Sequence, residues 1–141
     1  MFRKLMIGVV SALTLSAASF AQQGGTPQEA RAMLDKAVAA VKADQAVALA
    51  TFLKGEGGFL DRDLYPFCFR NADGKLLVSP KAVPAGTDIR TLKDANGSAY
   101  GEAIYAAGQK PDVQITEVGP YLFPKPGTTT PTFPKVSNQG R

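Results

Sequence analysis

Residues 26–55 are TPQEARAMLDKAVAAVKADQAVALATFLKG, and this pattern predicts one long amphipathic helix. Thr26 can cap the helix, Pro27 suits its first turn, and Glu29 completes a capping box. Gly55 suits the left-handed backbone conformation that ends many helices, so we expect the helix to end there. Apolar residues recur at the spacing of a single helix face; they are Ala30, Met33, Leu34, Ala37, Val38, Val41, Ala48, Leu49 and Phe52.

The first 21 residues, ahead of this helix, have the features of a secretory signal peptide. Arg3 and Lys4 precede an apolar run, and Ser19, Phe20 and Ala21 form the small-x-small pattern that signal peptidase accepts. We expect cleavage after Ala21, which places the remaining chain in the periplasm or outside the cell with no membrane span. An uncleaved anchor is the alternative, but a spanning helix needs about 20 predominantly apolar residues, and this run is shorter and interrupted.

Composition argues against several classes of function. Loss of Arg3 and Lys4 lowers the formal net charge from +4 to +2, and the remaining basic residues form no stripe, so we expect no nucleic-acid binding. The chain has no histidine, which removes the commonest general base and most zinc sites. Glu56, Asp61 and Asp63 could hold a cation, but a solvated loop is the simpler interpretation. We therefore expect no enzymatic activity, no cofactor and no metal ion.

The rest of the chain alternates short strands with turns and one short helix. The predicted elements are a strand at 64–70, a returning strand at 75–79, a helical turn at 89–92, a helix capped by Ser98 and ended by Gly108, a strand from 113 that continues to 123, and a strand from 132 to 137. The turns between neighbouring strands predict two hairpins. The order of helix, hairpin, short helix and hairpin predicts an α+β fold with an antiparallel sheet, in one domain at 26–137 followed by a tail at 138–141.

Cys68 is the only cysteine, so it cannot form a disulfide within the chain. It lies in an apolar strand, and we expect a buried, unreactive thiol. Aromatic residues are concentrated on the predicted strands, at Tyr65, Phe67, Phe69, Tyr121 and Phe123. Core packing accounts for any one of them. The sharper hypothesis is a small-ligand pocket with tyrosine hydroxyls and a cation at its rim.

A series of short segments stands out between residues 28 and 137 by order and spacing. They are Gly55-Glu56-Gly57-Gly58-Phe59, Asp61-Arg62-Asp63-Leu64-Tyr65, Phe67-Cys68, Asn71-Ala72-Asp73-Gly74-Lys75, Asp88-Ile89-Arg90-Thr91-Leu92-Lys93-Asp94, Gly97, Pro124-Lys125-Pro126-Gly127 and Pro134-Lys135-Val136-Ser137. Together these segments resemble the single Cache domain family, and more narrowly the exported stand-alone Cache proteins of bacteria.

The resemblance implies an extracytoplasmic PAS-like sensor fold, with a long N-terminal helix packed on an antiparallel sheet. It implies a cavity beside the sheet for a small organic acid or amino acid, and a role in signal sensing with a membrane receptor or kinase as partner. Relatives continue beyond the segment at 134–137 into a final strand, so the resemblance also implies a domain truncated at its C-terminus. A structural or interaction protein without a ligand, or a non-functional fragment, is the alternative.

The resemblance further implies five ligand-binding residues. Tyr65 and Phe67 match first-strand positions that face the pocket, and Tyr121 matches a tyrosine of the third strand. Arg90 lies in the loop that covers the pocket, and Lys135 matches a lysine of the fourth strand. Arg90 or Lys135 would pair with a ligand carboxylate, whereas the two tyrosines would donate hydrogen bonds. Solvent exposure is the alternative for Arg90 and Lys135.

Overall fold

The computed structural model describes residues 24–79, 82–110 and 116–124, together with the backbone of 133–139. The elements in chain order are α1 (Pro27–Ala43), α2 (Gln45–Lys54), β1 (Cys68–Phe69), β2 (Leu76–Val78), a 3₁₀ turn (Ile89–Thr91), α3 (Tyr100–Gly108), β3 (Thr116–Phe123) and β4 (Phe133–Gln139). This mixture of helices and antiparallel strands agrees with the coarse prediction from the sequence. The predicted signal peptide, the predicted strand residues 113–115 and the last two residues of the predicted tail lie outside the described residues. The tail predicted at 138–141 was wrong at its start, because β4 continues to Gln139.

The single helix predicted over residues 26–55 was wrong at its middle, because Asp44 divides it into α1 and α2. The backbone of Asp44 is extended, with φ −158° and ψ 104°. Its carboxylate accepts a hydrogen bond of 3.1 Å from the Val47 amide and so caps α2. Aspartate competes for backbone amides in this way and favours caps over helix interiors. Both predicted ends are confirmed, since the capping box begins α1 and Gly55, at φ 68°, ends α2.

Arg62 fastens the beginning of α1 to the loop that leads into β1. Its guanidinium lies 2.8 Å from the Glu29 carboxylate and donates to the Gly24 carbonyl at 3.3 Å. One residue further on, Asp63 accepts a hydrogen bond of 2.6 Å from the Gly25 amide. We call Gly25, Glu29, Arg62 and Asp63 the N-terminal clasp. It joins segments nearly forty residues apart and therefore fixes the start of α1 relative to the approach to β1.

Both predicted hairpins are confirmed, although the first strand is shorter than expected. β1 and β2 are antiparallel, with Cys68 opposite Val78. Of the strand predicted at 64–70 only two residues pair with β2, because Pro66 has no amide to donate and Leu64 instead bonds back to Asp61. β3 and β4 form the second antiparallel pair. Within the described strands the two pairs are separate two-stranded sheets.

The core consists of two groups of buried side chains. The hairpin cluster comprises Leu76, Ile89, Tyr100, Ile104, Tyr121 and Phe123. The helix cluster comprises Ala37, Ala48, Phe52, Phe59 and Val78. In the hairpin cluster the rings of Tyr100 and Tyr121 are stacked with centroids 4.2 Å apart, and the Phe123 ring stands edge-on to both. Such aromatic packing contributes energy beyond the area that it buries.

Asp94 organises the turn before α3, a role that the sequence had assigned in part to Ser98. The Asp94 carboxylate accepts hydrogen bonds from the amides of Asn96 and Ser98, each at 2.9 Å. It also accepts one from the Leu122 amide of β3, at 3.1 Å. The predicted cap at Ser98 was therefore wrong: α3 begins after Ala99, which makes no side-chain cap. Asp94 thus links the beginning of α3 to the second hairpin.

The close approach of α3 to the 3₁₀ turn requires glycine at position 101. The Gly101 amide donates to the Leu92 carbonyl at 3.2 Å. A Cβ atom at this position would lie only 1.8 Å from the Ile89 carbonyl oxygen, so the two backbones could not keep their spacing.

We expect Gly101→Ala to lower the free energy of unfolding by about 1–3 kcal/mol, because the backbone must move to relieve the overlap. Urea unfolding would measure the loss. Ala103→Ser, at an exposed position of the same helix, should change stability by only about 0.5 kcal/mol. Equal effects of the two substitutions would contradict this packing.

The clasp predicts an acid-sensitive contribution to stability. The hydrogen bond from Arg62 is the main cause that lowers the pKa of Glu29 from 4.5 to about 2. Because the folded-state pKa is the lower one, this contribution is fully present above pH 4.5 and is lost as the pH falls towards 2. Glu29→Gln should therefore flatten the decline in melting temperature across that range. A residual slope should remain from Asp61, Asp88 and Asp94, whose pKa values are also lowered; an unchanged pH profile would refute the role of Glu29.

Candidate functional site

A cavity of about 340 Å³ lies between α1 and the two hairpins. The apolar face of α1 forms one wall, with Ala30, Met33, Leu34, Ala37, Val38 and Val41. The segment leading into β1 forms another, with Leu64, Tyr65, Pro66, Phe67, Cys68 and Phe69. Side chains from α2, β2, the 3₁₀ turn, α3 and β3 also contribute to the lining. The helical periodicity of the sequence thus marks a wall of a cavity and not only a packed face.

The cavity separates parts of the two core clusters. Its lining takes Ala37 and Phe52 from the helix cluster, and Tyr100, Ile104 and Tyr121 from the hairpin cluster. Protein interiors are close-packed and contain few voids larger than a water molecule. A volume of about 340 Å³ falls instead within the range of small-molecule sites, about 300–1,000 Å³.

Three tyrosines place hydroxyl groups near one another in this mostly apolar lining. Burial raises the pKa of Tyr65 far above its ordinary value, and the neighbouring Tyr121, Tyr100 and Asp63 add to the effect. Burial, Tyr121 and Asp94 raise the pKa of Tyr100 to about 12. The hydroxyls of Tyr65 and Tyr100 therefore stay protonated at neutral pH, where each can donate and accept hydrogen bonds.

Two charged residues occur in the described part of the lining, one near each end of α1. Asp63 lies beside the beginning of α1, where it binds the Gly25 amide. Lys42 lies in the last turn of α1 and is exposed. From Pro27 to Lys42 the helix axis rises by about 22 Å, at 1.5 Å per residue. The cavity therefore has an acidic end and a basic end.

Three of the five ligand-binding residues expected from the sequence line the cavity: Tyr65, Phe67 and Tyr121. Lys135 is the Cα partner of Tyr121 in the pairing of β3 with β4, so its backbone lies beside that wall. The side chain of Lys135 lies outside the described residues.

Arg90, the fifth expected residue, does not belong to the described lining. Its guanidinium contacts the Asp88 carboxylate at 2.6 Å and donates to the Asp73 carbonyl at 3.0 Å. It also lies 5.0 Å from the ring centroid of Tyr105. Arg90 thus supports the 3₁₀ turn against the turn between β1 and β2, and its charge is directed to Asp88.

The sequence analysis assigned no site role to Tyr100 or Lys42, and it considered Asp63 only for a cation site together with Glu56 and Asp61. Tyr100 was predicted only as part of the apolar face of a short helix, and Asp63 as part of a solvated loop. Their positions follow from long-range contacts, the Tyr100–Tyr121 stack and the bond between Gly25 and Asp63. The one local signal was the sequence of acidic, aromatic and apolar residues at 61–69, which places a carboxylate directly before an aromatic strand.

Comparison with known protein families, curated proteins and solved structures finds no match to this chain. In the described part of the chain, no helix combines the length and apolarity needed to cross a membrane. The same residues contain no group of cysteine, aspartate and glutamate side chains suited to a metal ion.

Cys68 lies in the cavity wall and is half-buried. Burial raises the pKa of its thiol from 9.0 to about 11. Since the thiolate is the reactive form, we expect a disulfide reagent at pH 8 to modify the native protein about a hundredfold more slowly than the unfolded protein. A thiol assay with and without denaturant would measure the ratio. Equal rates would show that the thiol is not buried.

Proposed function

We propose that this protein is a small-molecule-binding module of the sensor type, without catalytic activity, that holds its ligand in the cavity between α1 and the hairpins. The observation that carries the proposal is the cavity of about 340 Å³, whose mostly apolar lining includes three tyrosines. Ligand sites combine a mostly apolar lining with a few well-placed polar groups. Tyr65 and Tyr121 supply such groups here, with Phe67 beside them.

The chemistry of the lining supports binding over catalysis. A general base works best with a pKa near the operating pH, whereas the raised pKa of Tyr65 keeps its hydroxyl protonated. A cysteine nucleophile acts as the thiolate, whereas burial raises the pKa of Cys68 to about 11. Both groups are therefore suited to line a binding site rather than to react in one.

The proposal includes a PAS-like arrangement, in which α1 and α2 pack against both antiparallel hairpins, whose described strands form two separate sheets. Contacts of α1 with β4 and of α2 with β2 support it, since they bring the helices against both hairpins. The resemblance to exported Cache proteins adds the cellular context: a protein of the periplasm or the cell exterior that senses an organic acid or amino acid and signals through a membrane receptor or kinase.

Ligand binding can be tested by thermal-shift screening with acetate, pyruvate, lactate, succinate and the amino acids. A ligand that binds only the folded state raises the melting temperature. It should also slow the modification of Cys68, because the thiol lines the same cavity. A well-folded protein that responds to no compound in either assay would contradict the proposal.

A matched pair of variants locates the binding site. Val38→Trp places a large ring in the cavity, because Val38 is part of its lining, and should abolish the ligand-induced shift. Ala39→Trp puts the same ring on the exposed side of α1 and should leave the shift unchanged. If Val38→Trp raises stability while ligand binding persists, the ligand binds elsewhere and the cavity proposal fails.

A further inference from the structure

We propose that the ligand of this cavity is a medium-chain carboxylic acid, with its alkyl chain between α1 and the hairpins and its carboxylate at the solvent-exposed end beside Lys42. The inference rests on the proposed function and names the chemical class of the ligand. The resemblance left organic acids and amino acids open. The positions of apolar and charged side chains in the lining, together with its volume, distinguish among them.

The wall that α1 contributes is apolar from its first turn almost to its last. Its lining residues before Lys42 are Ala30, Met33, Leu34, Ala37, Val38 and Val41. From Ala30 to Val41 the helix axis rises by about 16 Å, at about 1.5 Å per residue. The segment leading into β1 adds Leu64, Pro66 and Phe67. An alkyl chain gains by leaving water for such surroundings, whereas a charged group buried among them would lose its hydration.

The volume of the cavity indicates the length of the chain. An apolar cavity of about 150 Å³ holds benzene, a ring of six carbon atoms. The cavity described here has about 340 Å³. At the same packing it has room for roughly twelve carbon atoms. Acetate, pyruvate and lactate are far smaller, and they would leave most of the lining without the contacts that a ligand of matching size makes.

Lys42 supplies a positive charge where the lining reaches solvent. It lies in the last turn of α1, is exposed, and is the only cation of the described lining. Among the described residues no carboxylate forms an ion pair with it. The nearest acid along the chain, Asp44, accepts the Val47 amide and caps α2. Gln45, also in the lining, adds an amide donor.

This position of the charge orients the ligand. A carboxylate beside Lys42 keeps part of its hydration and meets an ammonium group, so it avoids the cost of burial in the apolar interior. The alkyl chain then follows the apolar face of α1 towards Ala30, which lines the cavity at the beginning of the helix. The methylene stem of Lys42 can pack along the first carbon atoms of the ligand while its ammonium group stays in water.

The first experiment measures how affinity depends on chain length. Isothermal titration calorimetry of the purified protein at neutral pH gives the dissociation constants of butanoate, hexanoate, octanoate and decanoate, each below its micelle concentration. Each buried methylene should tighten binding about fourfold, so each step of the series should tighten it at least tenfold. Octylamine, with the opposite charge, should bind at least tenfold more weakly than octanoate. Equal affinities along the series, or octylamine binding as tightly as octanoate, would overturn the proposal.

Lys42→Glu tests the residue assigned to the carboxylate. It replaces attraction by repulsion at the exposed end and should weaken octanoate binding at least threefold, while the affinity for the uncharged octan-1-ol stays the same. Added salt should reduce the difference, because the pair is exposed to solvent. Lys54→Glu is the matched control, since Lys54 lies in the last turn of α2, outside the described lining. Equal octanoate affinities in the two variants would refute the role of Lys42.

Ala30→Phe tests the orientation of the chain. The new ring fills the end of the cavity away from Lys42, so decanoate should lose at least tenfold in affinity and hexanoate less than threefold. Ala32→Phe places the same ring at an exposed position of α1 outside the described lining and should alter neither affinity. Equal losses for both acids in Ala30→Phe, or no loss for either, would overturn the orientation.

The same measurements separate failure of the ligand class from failure of the binding function. If succinate, lactate or an amino acid binds more tightly than octanoate, and Val38→Trp abolishes that binding, the cavity is a ligand site and the medium-chain class is wrong. If the protein unfolds cooperatively but binds neither the alkyl acids nor any compound of the wider screen, the binding function itself is refuted.

Discussion

The cavity depends on how far α1 stands from the segment that leads into β1, and the N-terminal clasp sets that distance at one end. Arg62 holds Glu29 on α1, and Asp63 holds the Gly25 amide just before the helix. Exposed ion pairs usually contribute little to stability. Here the ion pair acts together with backbone hydrogen bonds, so its main effect is geometric. It keeps apart two apolar walls whose contact with each other would otherwise be favourable, because contact would remove apolar surface from water.

The two core clusters show how the fold tolerates a large cavity. Ile89 and Ile104 in the hairpin cluster are each only 1% exposed, and the stacked tyrosines pack beside them. In the helix cluster the rings of Phe52 and Phe59 meet edge-on at 4.5 Å. Each side of the cavity is thus compact by itself, because the side chains that line it also pack closely against one another.

The parts of the fold that the sequence predicted are those governed by neighbouring residues. The capping box at Thr26, the glycine at position 55 and the turn of the first hairpin depend on contacts within a few residues. The break at Asp44 was also local, and the polar pair of Asp44 and Gln45 on the expected apolar face was a signal for it. The continuous helical spacing on either side concealed that signal.

The site was less predictable because it is assembled from distant segments. The aromatic strands suggested a pocket with tyrosine hydroxyls, and the resemblance selected Tyr65, Phe67 and Tyr121 for it. Tyr100 was not expected there, and Asp63 was considered only for a cation, because their neighbours in space are far away in sequence. Arg90 shows the opposite case, since its partner Asp88 lies two residues earlier and could have been recognised from the sequence. An arginine that pairs with a carboxylate so close along the chain is less available to bind a ligand.

Asp63 belongs both to the clasp and to the cavity lining. It therefore connects the occupation of the cavity with the position of the first turn of α1. An occupant that contacts the Asp63 carboxylate would change the hydrogen bond between that carboxylate and the Gly25 amide. A shift of the first turn of α1 would in turn alter the affinity for the occupant. Thermodynamic reciprocity requires the two effects to be equal in size. Through Asp63, occupation of the cavity and the position of the start of α1 would therefore be coupled.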